Sequence, residues 1–142
     1  MIPLEKIIVL SQVALFSRLK TEEFNTISTI AIETSCEDGD ILFSEDDMSD
    51  KLFIVVSGEV MILKEGQEKP IAIVKENNFV GELSLFNAGS HITSARCSGK
   101  CTFLTIKYKD MERLIDEYPA IAVNFIKVLI SRMRDMIESQ GK

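Results

Sequence analysis

One histidine in 142 residues sets the first boundary on what this chain does. Metal-dependent roll enzymes gather several histidines, and a single imidazole with no supporting motif builds no nucleophile–base pair, so no catalysis is expected. Cysteines are few: Cys36, Cys97 and Cys101 lack the clustered spacing of zinc or iron–sulfur ligands, so no metal or cofactor is expected either. An odd thiol count without a secretion signal points to a reduced, cytoplasmic setting. Long apolar runs are missing. Ile7–Leu10 is too short for a signal-peptide core, and nothing approaches a membrane span. Excess basic charge is missing too. A net charge of −6 argues against direct binding to nucleic acid or an anionic membrane.

What is present is periodic. Pro3 suits a first helical position, and Leu4, Ile7, Ile8 and Ser11 follow helical spacing, which predicts a helix over 3–11. Thr21 reads as an N-cap ahead of Glu22, Glu23 and an apolar face of Phe24, Ile27, Ile30 and Ala31. After Ile32 the period shortens. Strands are expected at 32–37, 41–44, 51–56, 59–64, 70–75, 91–97 and 101–107, with turn signals at Ser57-Gly58 and Ser98-Gly99-Lys100 among others. Regular short strands without long helices between them indicate a sandwich or roll. Helical spacing returns at Asp110, and Pro119 opens a second helix running to about Gln140. The expected layout is one domain, mainly β with flanking helices: N-terminal helices in 1–31, a roll in 32–107 and C-terminal helices in 108–142.

The last helix carries more apolar surface than one buried stripe needs. Val123, Ile126, Ile130, Met133 and Ile137 repeat in steps of three and four, while Phe125, Val128 and Leu129 lie off that seam. A homodimer through 120–137 is the expected use. The alternative is that both stripes pack within the chain.

The densest chemistry lies in Phe79-Val80-Gly81-Glu82-Leu83-Ser84-Leu85-Phe86. A turn ending in Gly81 opens a short helix with one carboxylate. Amide groups at a helix start favour an anion, and glycine lets the backbone approach closely. A carboxylate in the same turn repels a bare phosphate but suits a ligand that also carries a hydroxyl. Read on residues alone, Glu82 is more readily a solvated first-turn side chain that stabilises its helix. His91 on the same basis is more readily a surface residue beside a loop.

Four segments in order resemble the cyclic nucleotide-binding domain of catabolite activator proteins, protein kinase A regulatory subunits and cyclic nucleotide-gated channels. They are Leu15-Phe16-Ser17 with Thr21–Phe24, Gly39–Phe43, Lys51–Val60 as a central hairpin, and Phe79–Leu85 as a phosphate-binding cassette. The resemblance covers nearly the whole chain. It implies a double-stranded β-helix, a jelly-roll-like β-roll, with a long C-terminal helix. It implies a cyclic nucleotide as ligand, cAMP rather than cGMP, with Glu82 on the ribose 2′-hydroxyl and Gly81, Leu83 and Ser84 as backbone contacts.

The family then places an arginine on the next strand to neutralise the phosphate. Here the matching run is Ser90-His91-Ile92-Thr93-Ser94, with His91 at the arginine position and Ile92 and Thr93 beside it. Imidazole offers one bond in that direction and only partial charge near neutral pH. Guanidinium offers two bonds and a permanent charge. Losing such a contact costs about 2–4 kcal/mol, roughly 30- to 1000-fold in affinity. Arg96 is expected to face the opposite side of the strand from His91, and Lys100 to sit in a turn.

The expected function is therefore a regulatory sensor with a departed phosphate site, signalling through its C-terminal helix. The competing expectation is a ligand-free dimerisation or docking module. Bacterial transcription factors of this family place a helix-turn-helix after the long helix. This sequence ends at Lys142, so it reads as a fragment of something longer or a stand-alone sensor.

Overall fold

The computed structural model describes residues 1–48, 50–82, 85 and 91–140. Helix α1 covers Pro3–Ser11, with proline where no amide donor is needed. A short 3-10 turn at Ala14–Phe16 buries Leu15 and Phe16. Helix α2 covers Thr21–Ile30. Its cap is Lys20 rather than Thr21. The Lys20 amide donates to Glu23 Oε1 at 3.2 Å, so the first turn closes one residue earlier than the threonine suggested.

Six antiparallel strands follow: β1 (Ile32–Cys36), β2 (Ile41–Phe43), β3 (Lys51–Leu63), β4 (Ala72–Val74), β5 (Phe79–Val80) and β6 (Ser94–Lys107). The sheet order is β1-β6-β3-β4, with β2 on β6 and β5 on β3. Helices α3 (Tyr108–Glu117) and α4 (Ala120–Gln140) complete the fold. An antiparallel sheet core with flanking helices and a C-terminal helix is what the strand periodicity anticipated.

Two boundaries differ from expectation. Lys51–Val60 is not a hairpin: Ser57-Gly58 lies inside the single long strand β3. Ser98-Gly99-Lys100 likewise lies inside β6. The β3–β6 register slips on both sides of Ser57. Gly58 has φ +93°, and a Cβ placed there would sit 2.6 Å from the Lys100 carbonyl oxygen. Glycine at this point lets two strands press together and bend as a pair, where reversal looked equally natural in sequence.

Alternation along these strands feeds two cores. Leu52 and Ile54 of β3 join Leu104 and Ile106 of β6 under the helices. Phe53, Val55 and Phe103 point the other way, into the roll with Phe43 and Val80. Helix α4 enters the first core through Ile121 and Phe125. Its buried Asn124 donates through Nδ2 to the carbonyls of Leu15 at 2.9 Å and Ser17 at 3.0 Å, fastening α4 to the 3-10 turn. Among the described residues, no helix is long and apolar enough to cross a membrane.

Candidate functional site

Strand β5 delivers the site. Phe79 faces the helical core and Val80 the roll, because successive side chains alternate. Gly81 then turns with φ +96°, where a Cβ would lie 3.0 Å from the Lys51 carbonyl oxygen. The Tyr108 hydroxyl donates to the Gly81 carbonyl and pins the turn to the start of α3. Glu82 and Leu85 are helical. Leu83 and Ser84, expected as backbone contacts, lie outside the described residues, as does Phe86.

A cavity of about 710 Å³ opens over this turn, between β4, the 91–93 segment and α4. Gly81, Glu82, His91, Ile92 and Thr93 all line it, so five of the seven expected site residues share one cavity. Arg96 and Lys100 are not among its lining residues. Glu82 is only 8% exposed, not a solvated first-turn side chain. Burial pushes its carboxyl above the ordinary range, and the neighbouring Arg132 opposes that shift.

Arg132 was not anticipated. It reaches in from α4, donating from Nη1 to Glu82 Oε1 at 2.8 Å and from Nη2 to the Phe79 carbonyl at 3.0 Å. Its guanidinium also lies 4.5 Å from the Phe79 ring centroid. Phe125, two turns earlier on α4, meets the same ring edge-on at 5.4 Å. Two side chains of one helix therefore hold Phe79 next to the cavity. The missed signal is an arginine on an inward stripe: Phe125, Leu129 and Arg132 follow spacings of four and three.

His91 sits differently from its expected place. Strand β6 begins at Ser94, so His91 and Thr93 precede the strand and the argument from strand faces does not reach them. Backbone bonds hold His91 instead: its carbonyl accepts from the Asp46 amide at 2.8 Å, and its amide donates to the Asp47 carbonyl at 3.1 Å. The imidazole is 3% exposed and stacks on Phe43, ring centroids 3.8 Å apart at 18°. It is a wall of the cavity, not a surface group. Burial pushes its pKa below the usual imidazole value, with Asp47 opposing. Exposed Ile92 is held by its carbonyl, which accepts from Lys64 Nζ at 3.0 Å.

The carboxylate of Glu82 has room for more than one donor. Arg132 supplies one hydrogen bond, and a carboxylate accepts about four. A ligand hydroxyl is a suitable further donor. The cavity's upper walls, Ile62, Ile73, Val74, Leu129 and Met133, suit the flat face of a base.

The three thiols fall outside this site. Cys97 and Cys101 lie on one strand rather than across a hairpin, and Cys36 pairs with Cys101 across β1 and β6. All three pack in or against the roll's interior. Burial pushes the Cys36 and Cys97 thiols up, which disfavours the thiolate form. Among the described residues, no trio of histidine, cysteine or acidic side chains could hold a metal ion.

A model of the cyclic nucleotide-binding domain matches residues 33–118. The chain is 27% identical over 124 residues to the cyclic AMP receptor protein of Thermus thermophilus, covering 85% of this chain and 57% of that protein. It is 28% identical over 108 residues to a cAMP-dependent protein kinase regulatory subunit of Mucor circinelloides, covering 75% of this chain and 25% of that subunit. Among solved structures, the catabolite activator protein of Thermus thermophilus is similar with a TM-score of 0.79 and 26% identity, over 90% of this chain and 62% of that one. The chain spans about half the length of the bacterial regulators it matches. By name these relatives are a cyclic AMP receptor, a catabolite activator and a kinase regulatory subunit.

Proposed function

Because the chain belongs to the cyclic nucleotide-binding domain family, we propose that it is a regulatory sensor module whose ligand places a ribose hydroxyl on Glu82 and reports through α4. The observation that carries this reading is the 2.8 Å pair between Glu82, on the cavity floor, and Arg132, on the helix that covers it. Anything that adds a donor to Glu82 changes the grip on α4. No catalytic step and no direct contact with nucleic acid belong to this reading, and its setting is cytoplasmic.

The phosphate half of the site departs from the family pattern. His91 stands where the resemblance expects arginine, and burial disfavours its charged form. Cyclic nucleotide binding is therefore weak and strengthens as pH falls. The curated relatives are named for cAMP, which favours cAMP over cGMP. Residues 1–142 act as one unit, and a homodimer forms through 120–137.

The rival reading is a ligand-free dimerisation or docking module. On its side is that Arg132 already balances the charge of Glu82 within the chain. Thermal unfolding with millimolar cAMP and cGMP separates the two, because a ligand bound to the folded state alone raises the midpoint. A rise with either supports the sensor. No rise at any pH between mildly acidic and mildly basic supports the docking module.

A further inference from the structure

Formal charge inside the cavity is balanced before any ligand enters. Four described side chains of the lining carry full charges: Glu82, Arg132, Lys75 and Asp135. Lys75 and Asp135 are exposed at the rim, of opposite sign and bathed in water. Inside, the charges are Glu82 and Arg132, and they are spent on each other at 2.8 Å. The second arm of Arg132 is spent on the Phe79 carbonyl. The imidazole at the far wall is stacked flat on Phe43, packed as an aromatic surface.

A cyclic nucleotide brings one negative charge into this balanced interior. The one guanidinium among the described lining residues is Arg132, and to add its charge to the backbone amides at Gly81 it must leave a buried carboxylate, which then lacks its partner. A nucleoside brings the same ribose 2′-hydroxyl for Glu82 and the same base for the apolar walls, with free 3′- and 5′-hydroxyls in place of the phosphate and no charge to place. Resting on the reading of Glu82 as the ribose ligand, we infer that this cavity selects an uncharged ribose-bearing ligand, a nucleoside, over the corresponding 3′,5′-cyclic nucleotide.

Titration calorimetry on the full chain with adenosine, guanosine, cAMP and cGMP, at mildly basic pH, tests this directly. At least one nucleoside is expected to bind about tenfold tighter or more than its cyclic phosphate. His91→Arg is expected to raise cyclic nucleotide affinity about 30-fold and move nucleoside affinity by less than about threefold, reversing the order. Cyclic nucleotides that match or exceed nucleosides on the wild-type chain overturn the inference and leave the sensor reading standing. Silence from all four ligands overturns both. The wild-type comparison decides the matter even if His91→Arg fails to fold.

Discussion

Arg132 of α4 and Glu82 of the cavity floor, fifty residues apart in the chain, meet at 2.8 Å, and the same guanidinium lies over the Phe79 ring. The pair is partly buried, so removing one partner leaves the other short of a bond it was positioned to make. Arg132→Met is expected to cost about 1–3 kcal/mol in urea unfolding. Amides around residues 129–136 should exchange faster in the variant. Combining Arg132→Met with Glu82→Gln should recover part of the loss, with a coupling of about 0.5–3 kcal/mol. Strictly additive losses would mean the two side chains are neighbours without being partners.

The buried titratable groups pull stability in opposite directions with pH. His91 has a folded pKa below its ordinary 6.5. As pH falls through 6.5 the unfolded chain takes up a proton that the folded chain refuses, so stability is lost on the acid side. Glu82 has a folded pKa above its ordinary 4.5. Its contribution is fully present below 4.5 and is lost as pH rises through the raised value. His91→Phe keeps the stack on Phe43 and should remove the acid-side loss between about pH 7 and pH 5. Glu82→Gln should gain on the wild type as pH rises through the raised value. Urea midpoints against pH read both, and parallel curves for wild type and His91→Phe would show an imidazole that titrates as if exposed.

The elements were legible because their periods are. Apolar spacing located α1, α2, α3 and α4 to within about two residues. The strand bends were not legible. Ser57-Gly58 has the composition of a reversal, and only the approach of Gly58 to the Lys100 carbonyl makes it a bend within one strand. Gly81-Glu82 was visible as a local pattern, since a turn and its carboxylate are adjacent. Arg132 was not, because its partner is distant in sequence and a lone arginine on a mixed helix looks solvated. His91 was visible as a candidate, but not its place ahead of β6, nor its burial, which depends on Phe43 from β2 and which no local pattern carries.

Gly58 and Gly39 form a controlled comparison. Both have positive φ, +93° and +85°. A Cβ at Gly39 meets nothing within 4 Å, whereas at Gly58 it meets the Lys100 carbonyl at 2.6 Å and Cys101 Sγ at 2.7 Å. Gly39→Ala should therefore cost only the backbone term, about 1–2 kcal/mol. Gly58→Ala should add a clash against backbone that cannot retreat, for about 2–5 kcal/mol in all. Equal costs in thermal or urea unfolding would show that β3 and β6 are less tightly apposed at the bend than described.

The outward stripe of α4 tests the homodimer. Val123, Ile126, Ile130, Met133 and Ile137 are 47–63% exposed, Met133 also bordering the cavity, while Phe125 on the same helix is buried against Phe79. The helix thus has one face committed to the fold and one apolar face left open, at the spacing of a two-helix seam. Charges at Ile126→Glu and Ile130→Glu fall on the open face alone. Each variant is expected to change monomer stability by no more than about 0.5 kcal/mol, since the substituted side chains bury little within the chain. Sedimentation equilibrium should show the wild type as a dimer and the double variant as a monomer. A wild-type chain that stays monomeric at high micromolar concentration would remove the dimer and leave the stripe in need of a different partner.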